Sequence, residues 1–151
     1  MPHRFIAFAC LLLLAVAQAH AAGRSLRIAL AAPTGRAADR MAQSLRIAID
    51  VLRAAGLAPE LCDAMPTNAS TLHRLLGAIP DRPRFRHGVD LPLPHDLIVV
   101  DEASMVDLPL MCKLVEAIHD GARLVLLGDR DQLPSVEAGD VLAAIADAAT
   151  T

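Results

Sequence analysis

The chain has 151 residues, the length of one ordinary domain and too short for two comfortable ones. A hydrophobic share of 54% against 21% charged excludes a disordered or collagen-like chain. Three Phe with no Tyr or Trp leave Ala and aliphatic residues to fill the core and argue against single-strand binding by aromatic stacking. The net charge of −3 hides a division, with 11 Arg against 6 acids in residues 1–95 and 3 basic residues against 11 acids in residues 96–151. That split suits a basic face toward a polyanion and an acidic part handling a metal, and solvated surface charge accounts for it equally well. Cys10, Cys62 and Cys112 are odd in number and unrelated in spacing. They predict buried free thiols rather than a disulfide framework or a CxxC metal site.

The N-terminus supports two descriptions. Arg4, the apolar stretch Phe5 to Ala17 and the small-x-small triplet Ala19-His20-Ala21 together form the pattern of a secretory signal peptide. The stretch between Arg4 and Arg24 is short for a membrane span, which needs about 20 apolar residues. Alternatively, Leu11 to Ala22 is a buried Ala/Leu-rich helix of a cytosolic domain whose upstream part is missing. Composition does not separate the two.

Next, Arg27 to Ala32 is a short apolar run ended by Pro33, which predicts a buried strand of a parallel sheet. Thr34 is placed to cap a helix beginning near Gly35, in which Ala37, Ala38, Met41, Leu45, Ala48 and Ile49 form one apolar stripe, and which ends by Gly56. Between Gly56 and Asp96 lie six of the ten prolines, so this stretch reads as loop with one short helix around Thr71 to Leu76. Leu97 to Val100 is a central strand running into Asp101 and Glu102, Leu108 to Ile118 a helix closed by Gly121, and Leu124 to Leu127 a third strand reaching Gly128 and Asp129. Strand, helix, strand is the parallel-sheet unit, and a last amphipathic segment spans Val141 to Ala149.

In an open parallel sheet ligands bind beyond the carboxyl ends of the strands, where Asp101, Glu102, Asp129 and Gln132 all fall. Four apolar residues followed by Asp-Glu is the Walker B arrangement, in which the Asp holds magnesium and the Glu polarises the attacking water. The string is short, and a pair of solvated acids in a loop fits it as well.

Longer strings carry more. DEASMVD at Asp101 to Asp107 and GDRDQLPSVEAG at Gly128 to Gly139, together with APTGRAA at Ala32 to Ala38 and TLHRLLG at Thr71 to Gly77, resemble the RecD family in order and spacing. That family is the alpha subunit of exodeoxyribonuclease V, within the superfamily 1 DNA helicases, and the resemblance covers residues 24 to 146. It implies an α/β fold: an incomplete RecA-like P-loop NTPase motor domain, a parallel sheet flanked by helices. It implies ATP and magnesium as cofactors, with Asp101 on the metal and Glu102 as the base in motif II. Gln132, in motif III, is implied as γ-phosphate sensor, with Asp129 beside it at the nucleotide. Thr34, Gly35 and Arg36 fall in motif Ia and Thr71 with His73 in the next motif, both implying contacts to single-stranded DNA. A helix N-terminus with free NH groups and a cation suits a phosphate, although an ordinary capped helix would look the same. The implied partners are single-stranded DNA and RecB-type and RecC-type subunits, acting in the cytoplasm in double-strand break repair.

The family's usual Lys stands here as Arg36, which keeps the charge, and its frequent Ile as Leu72, which keeps the volume. Lys113 is the sole lysine and follows Cys112, so the sequence contains no GxxxxGK[ST] phosphate loop. Later helicase motifs, their arginine finger and a second motor domain are also absent from these residues. The expectation is therefore a helicase fragment inactive alone, in which the segment 1–22 is the remnant of the helix that follows the Walker A loop, fitting the family from about Leu11 with residues 1 to about 10 as foreign sequence, and residues 23–151 are a partial motor domain. The rival expectation is an exported, non-catalytic binding or assembly protein with a genuine signal peptide.

Overall fold

A computed structural model describes residues 2–128 and 141–148. The elements run α1 (Pro2–Ala21), β1 (Ile28–Ala32), α2 (Gly35–Ala54), α3 (Pro59–Asp63), β2 (Ser70–Thr71), α4 (Leu72–Leu76), β3 (Leu97–Val100), α5 (Leu108–Glu116), β4 (Arg123–Leu126) and α6 (Val141–Ala148), with a single 3₁₀ turn at Ala103–Met105. The four strands are all parallel in the order β2-β1-β3-β4, with Ala31 paired to both Ser70 and Val100, and Val100 to Leu126.

Both faces of the sheet are covered, because every residue of β3 is buried and successive side chains alternate in direction. Leu97 and Val99 join Leu30 under Phe8, Leu12 and Val16 of α1 and Met41, Leu45 and Ile49 of α2. Ile98 and Val100 face the other way, with Ala29 and Ala31, onto Leu72 and Leu76 of α4 and Met111 and Leu114 of α5. The expected α/β sheet flanked by helices is thus what the chain forms.

The apolar N-terminal run is helical, and its residues at i, i+4 and i+8, Phe8, Leu12 and Val16, are buried in the first core. The helix stops where Gly23 takes φ +67, letting the Arg24 NH donate to the Ala19 carbonyl at 2.9 Å and the Gly23 NH to that of His20 at 2.9 Å. Among the described residues no helix is long and apolar enough to cross a membrane.

The proline-rich stretch carries more structure than expected. A helical turn at Pro59–Asp63 buries Cys62, and Ser70–Thr71 adds a fourth strand beside β1. Neither has a periodic signal, since five residues and two residues are too short to show one. Only Cys62 of the three thiols is buried; Cys10 and Cys112 are exposed, which corrects the expectation for those two. They lie on the solvent sides of α1 and α5, away from the stripes that face the sheet.

Candidate nucleotide and nucleic-acid site

Because the strands are parallel and in register, their carboxyl ends form one edge of the sheet. Thr34 follows β1, Thr71 ends β2, Asp101 follows β3, and Gly128 follows β4. With neighbouring strands about 4.8 Å apart, Thr71 and Asp101 lie on either side of the β1 end, roughly 10 Å from one another.

Asp101 is a continuation of the β ladder: its NH donates to the Ala31 carbonyl at 2.9 Å, and its Oδ1 accepts from the Glu102 NH at 2.9 Å. Glu102 turns sharply, at φ 53 and ψ 38, a left-handed conformation costing a non-glycine residue about 1–2 kcal/mol. The turn is held from three directions. Met105 NH donates to the Glu102 carbonyl at 2.9 Å, Ala103 NH to the Leu127 carbonyl at 2.8 Å, and Leu127 NH to the Val100 carbonyl at 2.8 Å. Ala103 is fully buried, so an overdetermined backbone maintains the strain and aims the Glu102 side chain. A Cβ at Gly128 would press on the Leu142 side chain and come within 3.3 Å of the Ser104 nitrogen, which is why the chain passes here without a side chain. Asp107, at the end of the DEASMVD string, caps α5 by accepting from the Leu110 NH at 2.8 Å.

On β1, the Thr34 backbone is extended and its Oγ1 accepts from the Ala37 NH at 3.2 Å, starting α2 where the sequence places it. Thr34, Gly35 and Arg36 are exposed, while Ala37, Ala38 and Met41 hold the helix against the core. Thr71 repeats this arrangement on α4, accepting from the Arg74 NH at 3.2 Å. His73 is exposed, with its ring 5.8 Å from that of Phe85 and inclined by 54°. The structure thus brings Thr34, Gly35, Arg36, Thr71, Asp101 and Glu102 to one edge, with His73 one turn into α4. Asp129 and Gln132 lie outside the described residues.

Arg40 is a member of this edge that sequence inspection missed. Its guanidinium donates to Glu102 Oε1 at 2.6 Å, joining α2 to the end of β3. The available signal was its spacing of four from Arg36 on the exposed side of an amphipathic helix, which is indistinguishable from solvated surface charge until the partner strand is placed. At the opposite end of the sheet Asp96 accepts from the Arg27 NH at 2.9 Å, Nε at 3.1 Å and Nη2 at 2.8 Å. These bonds hold the Asp96 carboxyl well below the usual carboxylate range. They splice β1 to β3 and have no connection with the candidate site.

Asp101 offers one hard oxygen donor group, the kind of site at which magnesium keeps most of its water and shares substrate phosphates. No group of three His, Cys, Asp or Glu side chains converges among the described residues.

Residues 9–138 match the AAA domain family. The match begins inside the apolar run, and nothing in the fold or the relatives supports the exported-protein alternative. Over 138 residues, 91% of this chain and 23% of the relative, the chain is 54% identical to the RecBCD enzyme subunit RecD of Mycobacterium tuberculosis. Over 141 residues, 88% of this chain and 24% of the relative, it is 52% identical to that of Mycolicibacterium smegmatis. Identity to the ATP-dependent RecD2 DNA helicase of Deinococcus radiodurans is 42% over 126 residues, 83% of this chain and 14% of the relative. The chain therefore spans about a quarter or less of the length of these relatives. It belongs to the AAA domain family and, within it, is similar to the RecD helicase subunits, of which it covers a fragment.

Proposed function

We propose that the chain is the segment of a RecD-type, ATP-dependent DNA helicase motor that carries motifs Ia to III, serving an exodeoxyribonuclease V in DNA recombination and double-strand break repair. The observation that carries this is the shared edge: an Asp-Glu pair at the end of a central buried strand, one strand from an exposed Thr-Gly-Arg helix start. The 54% identity to a RecBCD subunit supports the same proposal and supports RecB-type and RecC-type partners in the cytoplasm. The first 22 residues are proposed to be the helix that follows a phosphate loop in this family, a role that suits a helix buried along one stripe.

In this proposal Asp101 holds magnesium. Bound there, the ion supplies positive charge to neutralise the phosphates of ATP. Glu102 orients the attacking water and accepts its proton. Gln132 senses the γ-phosphate with Asp129 nearby. Thr34, Gly35 and Arg36 grip a DNA phosphate through free backbone NH groups and a guanidinium, and Thr71 with His73 contact the strand beside it. ATP hydrolysis by the chain alone is expected to be absent, because the sequence holds no GxxxxGK[ST] to cradle the phosphates. Phosphate release by the purified chain above that of Glu102→Gln would contradict this. Fluorescence anisotropy with a labelled dT oligonucleotide at low salt tests the nucleic-acid side. Binding is expected, with Arg36→Ala reducing the slope of log affinity against log salt by about 0.7, the contribution of one phosphate contact on a single strand. Binding indifferent to Arg36→Ala and Thr34→Ala would overturn the assignment.

A further inference from the structure

Arg40 joins the two halves of the proposed site. It stands one turn beyond Arg36, and both project from the exposed side of α2 because Ala37, Ala38 and Met41 face the core. From that position its guanidinium meets Glu102 Oε1 at 2.6 Å. The partners differ in freedom. Glu102 sits on a backbone clamped through Asp101, Met105 and Leu127, and its side chain is 24% exposed, whereas the Arg40 side chain is 63% exposed on a long flexible stem. When this pair opens, Arg40 is the member that moves. The pair is also weak enough to exchange, since exposed ion pairs change an equilibrium by only about 1.4- to 5-fold.

We infer that Arg40 is a latch on Glu102. Without nucleic acid it holds the carboxylate toward α2, and a phosphate seated at Thr34–Arg36 draws the guanidinium away and frees the carboxylate. A guanidinium pairs with carboxylate and phosphate through the same donor fork, so a phosphate bound one turn away on α2 would compete with Glu102 for Arg40. Arg40 is then a positioning residue, through which occupancy of the strand-binding helix is transmitted to the end of β3. This inference rests on the proposed single-strand contact at the start of α2.

A double-mutant cycle on the full chain tests it, with a labelled dT oligonucleotide as probe and salt as the second variable. Glu102→Gln keeps an acceptor oxygen but removes its charge, which weakens the hold on Arg40 and leaves the guanidinium to the phosphate. Affinity is expected to tighten about 2- to 5-fold, and the salt slope to steepen by about 0.7. In an Arg40→Ala background the same substitution is expected to leave the slope unchanged, and Arg40→Lys to restore part of the effect. Thermal unfolding followed by circular dichroism checks each variant, and Glu102→Asn, which suits positive φ, repeats the test should Glu102→Gln unfold early. A Glu102→Gln effect of equal size with and without Arg40 reflects the loss of a negative charge alone and overturns the latch. Binding that depends on Arg36 but ignores Glu102→Gln also overturns the latch and leaves the strand contact standing. If no variant binds the oligonucleotide, the strand contact fails and the latch fails with it.

Discussion

Replacing Leu12 with alanine tests whether the signal-like N-terminal helix is a working part of the domain. Leu12 has no exposed surface, sits between Phe8 and Val16 on the buried stripe of α1, and belongs to the cluster containing Met41, Leu45 and Ile49 of α2. The α1 helix packs on α2 and α3, so the deleted methyl groups leave a cavity walled by two other helices and the sheet. Leu→Ala at such sites costs about 2–5 kcal/mol, the lost transfer free energy plus the residual cavity. For a chain of this size each kcal/mol lowers Tm by roughly 2–4 °C, so a central loss of about 3.5 kcal/mol predicts a fall of roughly 10 °C. Leu14, two residues away and 63% exposed, is the internal control, with an expected change within about 0.5 kcal/mol for Leu14→Ala. The measurement is thermal unfolding by circular dichroism under one set of conditions. If Leu12→Ala and Leu14→Ala melt within about 2 °C of one another, α1 is not docked as described and the helix contributes nothing to the core.

Burial pushes the His95 imidazole below its ordinary value, with Arg27 and His87 adding to the shift and Asp96 opposing it. The unfolded chain therefore binds more protons than the folded one below about pH 6.5. Stability should fall between pH 7 and pH 5, and His95→Gln should flatten that slope in denaturant titrations. Asp96 works in a lower window: its depressed carboxyl contributes stability above its ordinary value, and this is lost only as the pH drops below about 4, a step that Asp96→Asn should remove. Asp107→Ala removes the cap of α5 and should cost about 1 kcal/mol, read as a small shift in denaturation midpoint with unchanged m-value. Glu102→Gly relieves about 1–2 kcal/mol of left-handed strain but loses the Arg40 pair and adds about 0.5–1 kcal/mol of unfolded-state entropy, so a net change within about 1 kcal/mol of zero is expected, far milder than an ordinary glycine substitution that also breaks an ion pair at a strain-free site. A loss well above about 1 kcal/mol in Glu102→Gly would show that the turn is not strained.

Strands β1, β3 and β4 and the long helices were legible because their signals are local. Leu97 to Val100 has four consecutive apolar residues that suit a strand buried on both faces, and α2 carries a stripe at the helical period between a Thr cap and a Gly stop. Thr34 and Thr71 could be located as caps because the hydroxyl and the NH it accepts from are three residues apart. The pairing of Arg40 with Glu102 was not legible: 62 residues separate them, and only the lateral placement of β1 beside β3 makes them neighbours. The same holds for Arg27 with Asp96, 69 residues apart.

The sequence by itself determined the chemistry available at the candidate site. It sets an Asp-Glu pair directly after an apolar strand and a Thr-Gly-Arg helix start directly after another, in an order and spacing that resemble a known helicase family, with no phosphate loop in the 151 residues. Tertiary structure decided what those groups face. Parallel pairing in the order β2-β1-β3-β4 brings their strand ends to one edge, and packing on α2 and α3 makes a signal-like helix part of a core. The division follows from range: periodicity and capping are set within a few residues, whereas an ion pair across two elements exists only after burial of both faces of the sheet has fixed which strands are neighbours.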